Sequence, residues 1–231
     1  VSCVAINILM IGLTTALAAA WFGQQGLTPT LSNDQRFFEI TLPFADTISK
    51  IPFFGSIYSE VLSGHYIFVY IAFLAVPCVY WVVFKTSFGL RLRAVGENPS
   101  AVDTAGISVT ALRYKALAIN GVLIAFAGAH LSTAMNANFF REMSAGRGYL
   151  ALAALIFGKW KPKTALFACL LFGFTDALQI RLQGVPIPGI GIIPVQFIQA
   201  LPYVLTVVLL AGFVGKALPP SAIGQPYIKE R

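Results

Sequence analysis

The strongest constraint on this chain is a set of long windows without a charged side chain. No Asp, Glu, Lys or Arg occurs in 1–33, 61–84 or 182–215. A bilayer core about 30 Å thick takes roughly 20 apolar residues per helical crossing, so each window can hold a span. Composition closes the alternatives. The 231 residues are 57% hydrophobic and 11% charged, against about 25% charged in soluble domains. A soluble fold of this size could not hide so much apolar surface. An ordinary cytosolic enzyme and a disordered tail are excluded. The expectation is all-α: a polytopic membrane helix bundle of about six spans, one transmembrane domain over 1–231.

The spans are expected at about 3–22, 65–84, 112–134, 164–180 and 200–214, the fourth broken by Asp176. Residues 148–158 are apolar but would rise only about 16 Å as a helix, so a short or half-span segment is expected there. The stretch 185–194, VPIPGIGIIP, holds Pro186, Pro188, Gly189, Gly191 and Pro194. Proline lacks the N–H a helix needs, so this is a loop or re-entrant turn. The mixed segment 23–64 reads equally as an interfacial helix with turns or as a plain loop. Small residues recur at i+4 in three spans: Gly12, Ala16, Ala20; Gly121, Ala125, Ala129; and Ala165, Cys169, Gly173, Ala177. That spacing lets helix backbones approach closely in lipid. Cys3, Cys78 and Cys169 all lie in apolar runs, without metal spacing, and read as buried free thiols. The chain opens Val1-Ser2-Cys3, with no basic stretch ahead of its first apolar run. It is expected to be an N-terminally truncated piece rather than to carry a signal peptide.

The net charge of +7 is distributed by side. Lys85, Arg91, Arg93, Arg113, Lys115, Lys159, Lys161, Lys163, Lys216, Lys229 and Arg231 fall in alternate connections, eleven of the 16 basic residues. The positive-inside rule makes that side cytoplasmic. The charge thus reflects loop asymmetry across a membrane, not a nucleic-acid partner.

The connection at 85–110 is the most informative stretch. Asn98 is a good helix N-cap and Pro99 a good first helical residue. A short helix over 100–105 can end at Gly106. Its exposed side chains, Ala101, Ala105 and Gly106, are small enough to enter a groove in another protein. Arg93 and Glu97 could pair within the connection or with that partner.

The run KTSFGLRLRAVGENPSAVDTAGISV (85–109) resembles the cytoplasmic loop of ABC-importer permeases for simple sugars, nucleosides and branched-chain amino acids. The matching positions are Thr86, Gly89, Arg93, Ala94, Val95, Gly96, Asn98, Pro99, Ala101, Gly106 and Ile107. Val102 stands where the family usually has a second Ala. NGVLIAFAGAH (120–130) is similar to the family's Gly/Ala-rich span, with Asn120 for the usual Ser. GRGYLALAALIFGKWKP (146–162) and LLFGFTDALQIRLQG (170–184) look most like the nucleoside branch. The resemblance implies a multi-pass permease of the bacterial plasma membrane, importing a small polar solute, with nucleosides foremost and simple sugars or branched-chain amino acids as alternatives. It implies four kinds of partner: a cytoplasmic ATPase that uses ATP and Mg, a second permease in a hetero-dimer, an extracytoplasmic solute-binding protein, and the bilayer. It also implies that Gly89, Arg93, Ala94, Gly96, Glu97, Asn98, Pro99, Ala101, Gly106 and Ile107 couple the permease to the ATPase. The chain has no G-x-x-x-x-G-K-[ST] phosphate loop, so it is expected to bind neither nucleotide nor other cofactor itself.

Polar residues within or beside spans are candidates for the solute path. Asp176 is the one full charge inside a span, a costly and often functional placement. It could instead pair with a hydroxyl or the backbone. His130, Asn136, Asn138 and Gln179 lie at the same expected level, and Asn120 deeper. They could hydrogen-bond a neutral solute; packing is the alternative for His130 and helix–helix bonding for Asn120. Two readings of other classes compete. An intramembrane enzyme would need paired ionisable groups, and only Asp176 and His130 are at hand; no H-E-x-x-H or G-x-S-x-G motif occurs. A passive channel subunit is the other.

Overall fold

A computed structural model of the chain describes residues 2–41, 63–183, 186–187, 191–192, 194–201, 203–204, 207–208 and 219–228. The helices are α1 (Ser2–Phe22), α2 (Ile67–Lys85), α3 (Ser87–Glu97), α4 (Pro99–Thr104), α5 (Val109–Ala129), α6 (Arg147–Phe157), α7 (Pro162–Leu182) and α8 (Val195–Gln199). Four helical stretches are long and apolar enough to cross a membrane: Val4–Phe22, Ile67–Lys85, Val109–Met135 and Pro162–Leu182. They match the first four expected spans. At 19 to 27 residues they rise about 28–40 Å. Little of any of them is buried within the chain, and Ile8, Leu74, Leu117 and Phe167 are each more than 60% exposed. Apolar surface on that scale needs lipid or neighbouring helices around it. The chain is therefore a multi-pass helical membrane protein. The expected interfacial helix in 41–64 and the expected span at 200–214 lie largely outside the described residues.

Two compact units make up the chain: Val1–Leu74 with Lys115–Ala145, and Ala75–Tyr114 with Gly146–Arg231. In the first, extended backbone after α1 runs antiparallel to the stretch after α5. Thr28 N–H donates to Phe139 O at 3.0 Å, Leu31 N–H to Ala137 O at 2.7 Å, and Arg141 N–H to Gly26 O at 2.9 Å. β1 (Glu39–Ile40) pairs antiparallel with β2 (His65–Tyr66), Glu39 opposite Tyr66. The segment that continues α5, His130–Met135, is π-helical. Arg36 ties it down, its Nη2 donating to Ala134 O at 2.9 Å.

In the second unit α6 folds back on α7 as a helical hairpin. Lys159 and Trp160 take left-handed backbone angles, φ 49° and 59°, which reverse the chain. Gly158 lets the arms close: a Cβ there would stand 2.6 Å from Ala165 N. Phe157 packs edge-on against Phe172 at 5.7 Å. So α6 is the short apolar helix expected at 148–158. The described residues of the Pro/Gly stretch are non-helical, with β3 (Pro186–Ile187) paired to β4 (Gly191–Ile192).

The small-residue ridges meet the rest of the chain only in part: Ala165 lies close against Gly158, while Gly12, Gly121 and Gly173 have nothing within 4 Å of an added Cβ, and α7 buries Phe172 and Thr175. One expectation needs correction. Cys78 and Cys169 are free but exposed on their helices rather than buried.

Candidate functional site

The 85–110 stretch is a folded element, not an open loop, and most of it is helical. Thr86 caps α3: its hydroxyl accepts from Gly89 N–H at 3.2 Å and donates to Val82 O at 2.6 Å. The bond to Val82 pins the start of α3 to the last turn of α2. A Cβ on Gly89 would overlap the carbonyl groups of Val82 and Val83, so only glycine allows the turn. Arg93 projects from α3 with its guanidinium carbon 5.0 Å from the Phe84 ring centre. Ala94, also exposed, accepts the Asn98 N–H at 2.9 Å.

Asn98 ends α3 and starts α4. Its Oδ1 accepts from Ala101 N–H at 3.1 Å, the expected cap, and Pro99 fills the first helical position. After Thr104 the chain leaves the helix through Gly106 at φ +78°, a left-handed angle that glycine takes without strain. Ala101, Ala105 and Gly106 are exposed, as expected. Val102, the departure from the family pattern, points the other way. It is 7% exposed and shares a small core with Val95, Val109 and Leu112, against which Phe88, Ile107 and Tyr227 pack. The extra carbons of valine over alanine therefore fill that core.

The core explains how two short helices hold a position. A six-residue helix is not stable alone. Here α3, α4 and the first turn of α5 are joined by shared buried side chains. Val102 of α4 is thus packed against Val109 and Leu112 at the start of α5. Beside α4 lies a notch of about 180 Å³ lined by Asp103, Gly106, Ser108, Val109, Thr110 and Tyr227.

Glu97 does not pair with Arg93. It accepts a hydrogen bond from the Ser221 hydroxyl at 2.7 Å, so residues 219–228 belong to this site. Nothing in the sequence signals that contact, which spans 124 positions. The helical character of α3 was missed as well, because Gly89 and Gly96 interrupt its pattern. The stripe Phe88, Leu92, Val95 was the available signal.

The path candidates divide between the units. Asn120 is exposed on α5. His130 opens the π turn, its ring edge-on to Tyr66 at 6.0 Å and Phe68 at 5.8 Å; these contacts agree with a packing role. Asn136 closes that turn, its Nδ2 donating to Leu131 O at 2.8 Å. Asn138 follows, half-buried. In the other unit Asp176 and Gln179 are half-buried on α7. Among the described residues, no group of three or more His, Cys, Asp or Glu could hold a metal ion.

The family model described as branched-chain amino acid transport system / permease component matches residues 1–215. The nucleoside ABC transporter permease protein NupC of Lactococcus lactis subsp. cremoris is 44% identical over 185 residues, 80% of this chain and 56% of that protein. The guanosine ABC transporter permease protein NupQ of Bacillus subtilis is 37% identical over 230 residues, 99% of this chain and 68% of that protein. The putative glucose ABC transporter permease protein TsgC13 of Haloferax volcanii is 31% identical over 250 residues, all of this chain and 72% of that protein. This chain therefore spans between about half and three quarters of the length of these relatives. No solved structure matches.

Proposed function

The chain belongs to the branched-chain amino acid transport system / permease component family, and from that premise we propose that it is a permease subunit of an ATP-driven ABC importer that moves nucleosides across the plasma membrane. The observation that carries the solute class is the 37% identity to a guanosine permease over 99% of this chain. In this reading residues 1–231 form one transmembrane domain, with 85–110 as its coupling element on the cytoplasmic side. The chain is a transport component rather than an enzyme. ATP and Mg are used by a partner ATPase, a second permease completes the pathway, and an extracytoplasmic binding protein delivers the solute.

Force enters at α4. A groove in the ATPase takes its small face, Ala101, Ala105 and Gly106. Gly89, Arg93, Ala94, Gly96, Glu97, Asn98, Pro99 and Ile107 shape or flank that face. When the ATPase moves, α4 and α3 carry the first turn of α5 with them through the shared core. Asn120, His130, Asn136, Asn138, Asp176 and Gln179 supply hydrogen-bonding groups along the path for a neutral, polar solute.

A simple sugar is the alternative, favoured by the likeness to a putative glucose permease along the whole chain. One experiment separates them. The complete transporter, with ATPase, second permease and binding protein, is reconstituted in vesicles. ATP hydrolysis and uptake are measured with guanosine, glucose, ribose and leucine. Stimulation by guanosine is expected. Stimulation by a sugar or leucine, and none by nucleosides, would overturn the nucleoside reading.

A further inference from the structure

The segment 219–228 meets the connection at four points. Ala222 N–H donates to Gly96 O at 2.9 Å. Ser221 Oγ donates to Glu97 Oε2 at 2.7 Å. Pro220 lies against Gly96, where an added Cβ would be 3.3 Å from the proline Cβ. Tyr227 packs on the Val95–Val102–Val109–Leu112 core, its ring centre 5.9 Å from the Arg113 guanidinium carbon. Turn bonds shape the segment itself: Ile223 N–H donates to Pro220 O at 3.1 Å and Gln225 N–H to Ala222 O at 3.3 Å.

Each contact answers a need of the connection. The last carbonyls of a helix have no partner within it. The Asn98 N–H to Ala94 O bond is the last of α3, and Ala222 supplies a donor to Gly96 O beyond it. The six-residue α4 is bounded by non-helical residues on either side, Asn98 and Gly106. Tyr227 packs on the core that holds its buried Val102, while Ala101 and Ala105 stay exposed.

We infer that residues 219–228 form a strap that holds α3 and α4 from their buried side, with Ser221, Ala222 and Tyr227 as positioning residues for coupling to the ATPase. The inference rests on reading 85–110 as the coupling element. A docking helix passes on a push only if it cannot swing. The strap adds a further hold on α4 beside the shared core and leaves its small face free for the groove. Loosening the strap should therefore waste ATP rather than abolish hydrolysis.

The test has two arms, both on the complete transporter. In the first, Cys3, Cys78 and Cys169 are replaced by Ser, and Gly96→Cys is combined with Pro220→Cys. Disulfide Cβ atoms lie about 3.5–4.5 Å apart, so mild oxidation in native membranes should join the pair. This arm needs no solute, so it decides the strap's placement whatever the transporter carries. Absence of the cross-link would overturn the strap. In the other arm, Ser221→Ala with Tyr227→Ala is compared with Ser221→Thr with Tyr227→Phe. Guanosine uptake per ATP hydrolysed is normalised to inserted protein. The alanine pair should lower the ratio about tenfold, through lost packing and a lost bond to a charged group. The conservative pair, which keeps a hydroxyl and a ring, should restore it. Should the alanine pair fail to insert, Ser221→Ala alone is read, with a fall of about threefold expected. A parental ratio in the inserted alanine variant would overturn the strap's role.

Discussion

Leu112 and Leu117 stand five residues apart on α5, yet Leu112 is 7% exposed and Leu117 is 62% exposed. Leu112 closes the small core that joins α3, α4 and the strap. Leu117 faces outward from a span that buries almost nothing within the chain. One helix therefore belongs to two regimes. At its start, residue identity is set by contacts within the chain. Farther along, surroundings outside the chain set it, and any apolar side chain of suitable size will serve. The connection should thus be sensitive to small changes in shape, and the spans tolerant of them.

The largest contrast should come from that pair of leucines. Leu112→Ala opens a cavity in the core and should cost about 2–5 kcal/mol, while Leu117→Ala should cost less than about 1 kcal/mol. Thermal unfolding of the detergent-solubilised protein reads both; equal losses would erase the distinction between the regions. Glycines give the next contrast. Gly89→Ala forces a Cβ into two backbone carbonyl groups and should cost about 1–3 kcal/mol. Gly121→Ala meets nothing within 4 Å and should be neutral or slightly stabilising, since alanine favours helix by about 0.5–1 kcal/mol. A smaller effect is expected at the cap. Asn98→Ala removes the bond to Ala101 N–H and should cost about 1 kcal/mol. Asn98→Asp should retain most of it, which the same melting assay would show. The smallest is Glu97→Gln, which keeps an acceptor for Ser221 and should leave stability within about 0.5 kcal/mol.

The same division explains what the sequence could reveal. Spans are written in hydropathy alone, so α1, α2, α5 and α7 were legible. The cap of α4 was legible too, because Asn98, Pro99 and Gly106 act on their own backbone neighbours. The strap was not, since Ser221 and Glu97 meet only through the fold. Nor was the π turn at His130–Met135, for which no residue pattern stands out. The ridge of Gly12, Ala16 and Ala20 was only half legible: at Gly12 no neighbour from the chain lies within 4 Å of an added Cβ, because small residues permit close approach but do not say which neighbour arrives. For the solute path the sequence offers residue types only, and Asn120, His130 and Asp176 carry no local geometry that would define a site.

The central claim is that the exposed small face of α4 receives the ATPase. Ala101→Trp tests it most directly, because Ala101 is exposed and its replacement disturbs no packing within the chain. Gly106→Trp is a poorer probe, as the φ of +78° at that position would strain any bulky residue. Guanosine uptake and guanosine-stimulated ATP hydrolysis would be measured in vesicles holding the complete transporter, with insertion checked alongside. Overfilling a docked contact costs about 1–3 kcal/mol, so uptake should fall about tenfold while the permease inserts normally. Uptake at the parental level would contradict the claim and move the coupling contact elsewhere.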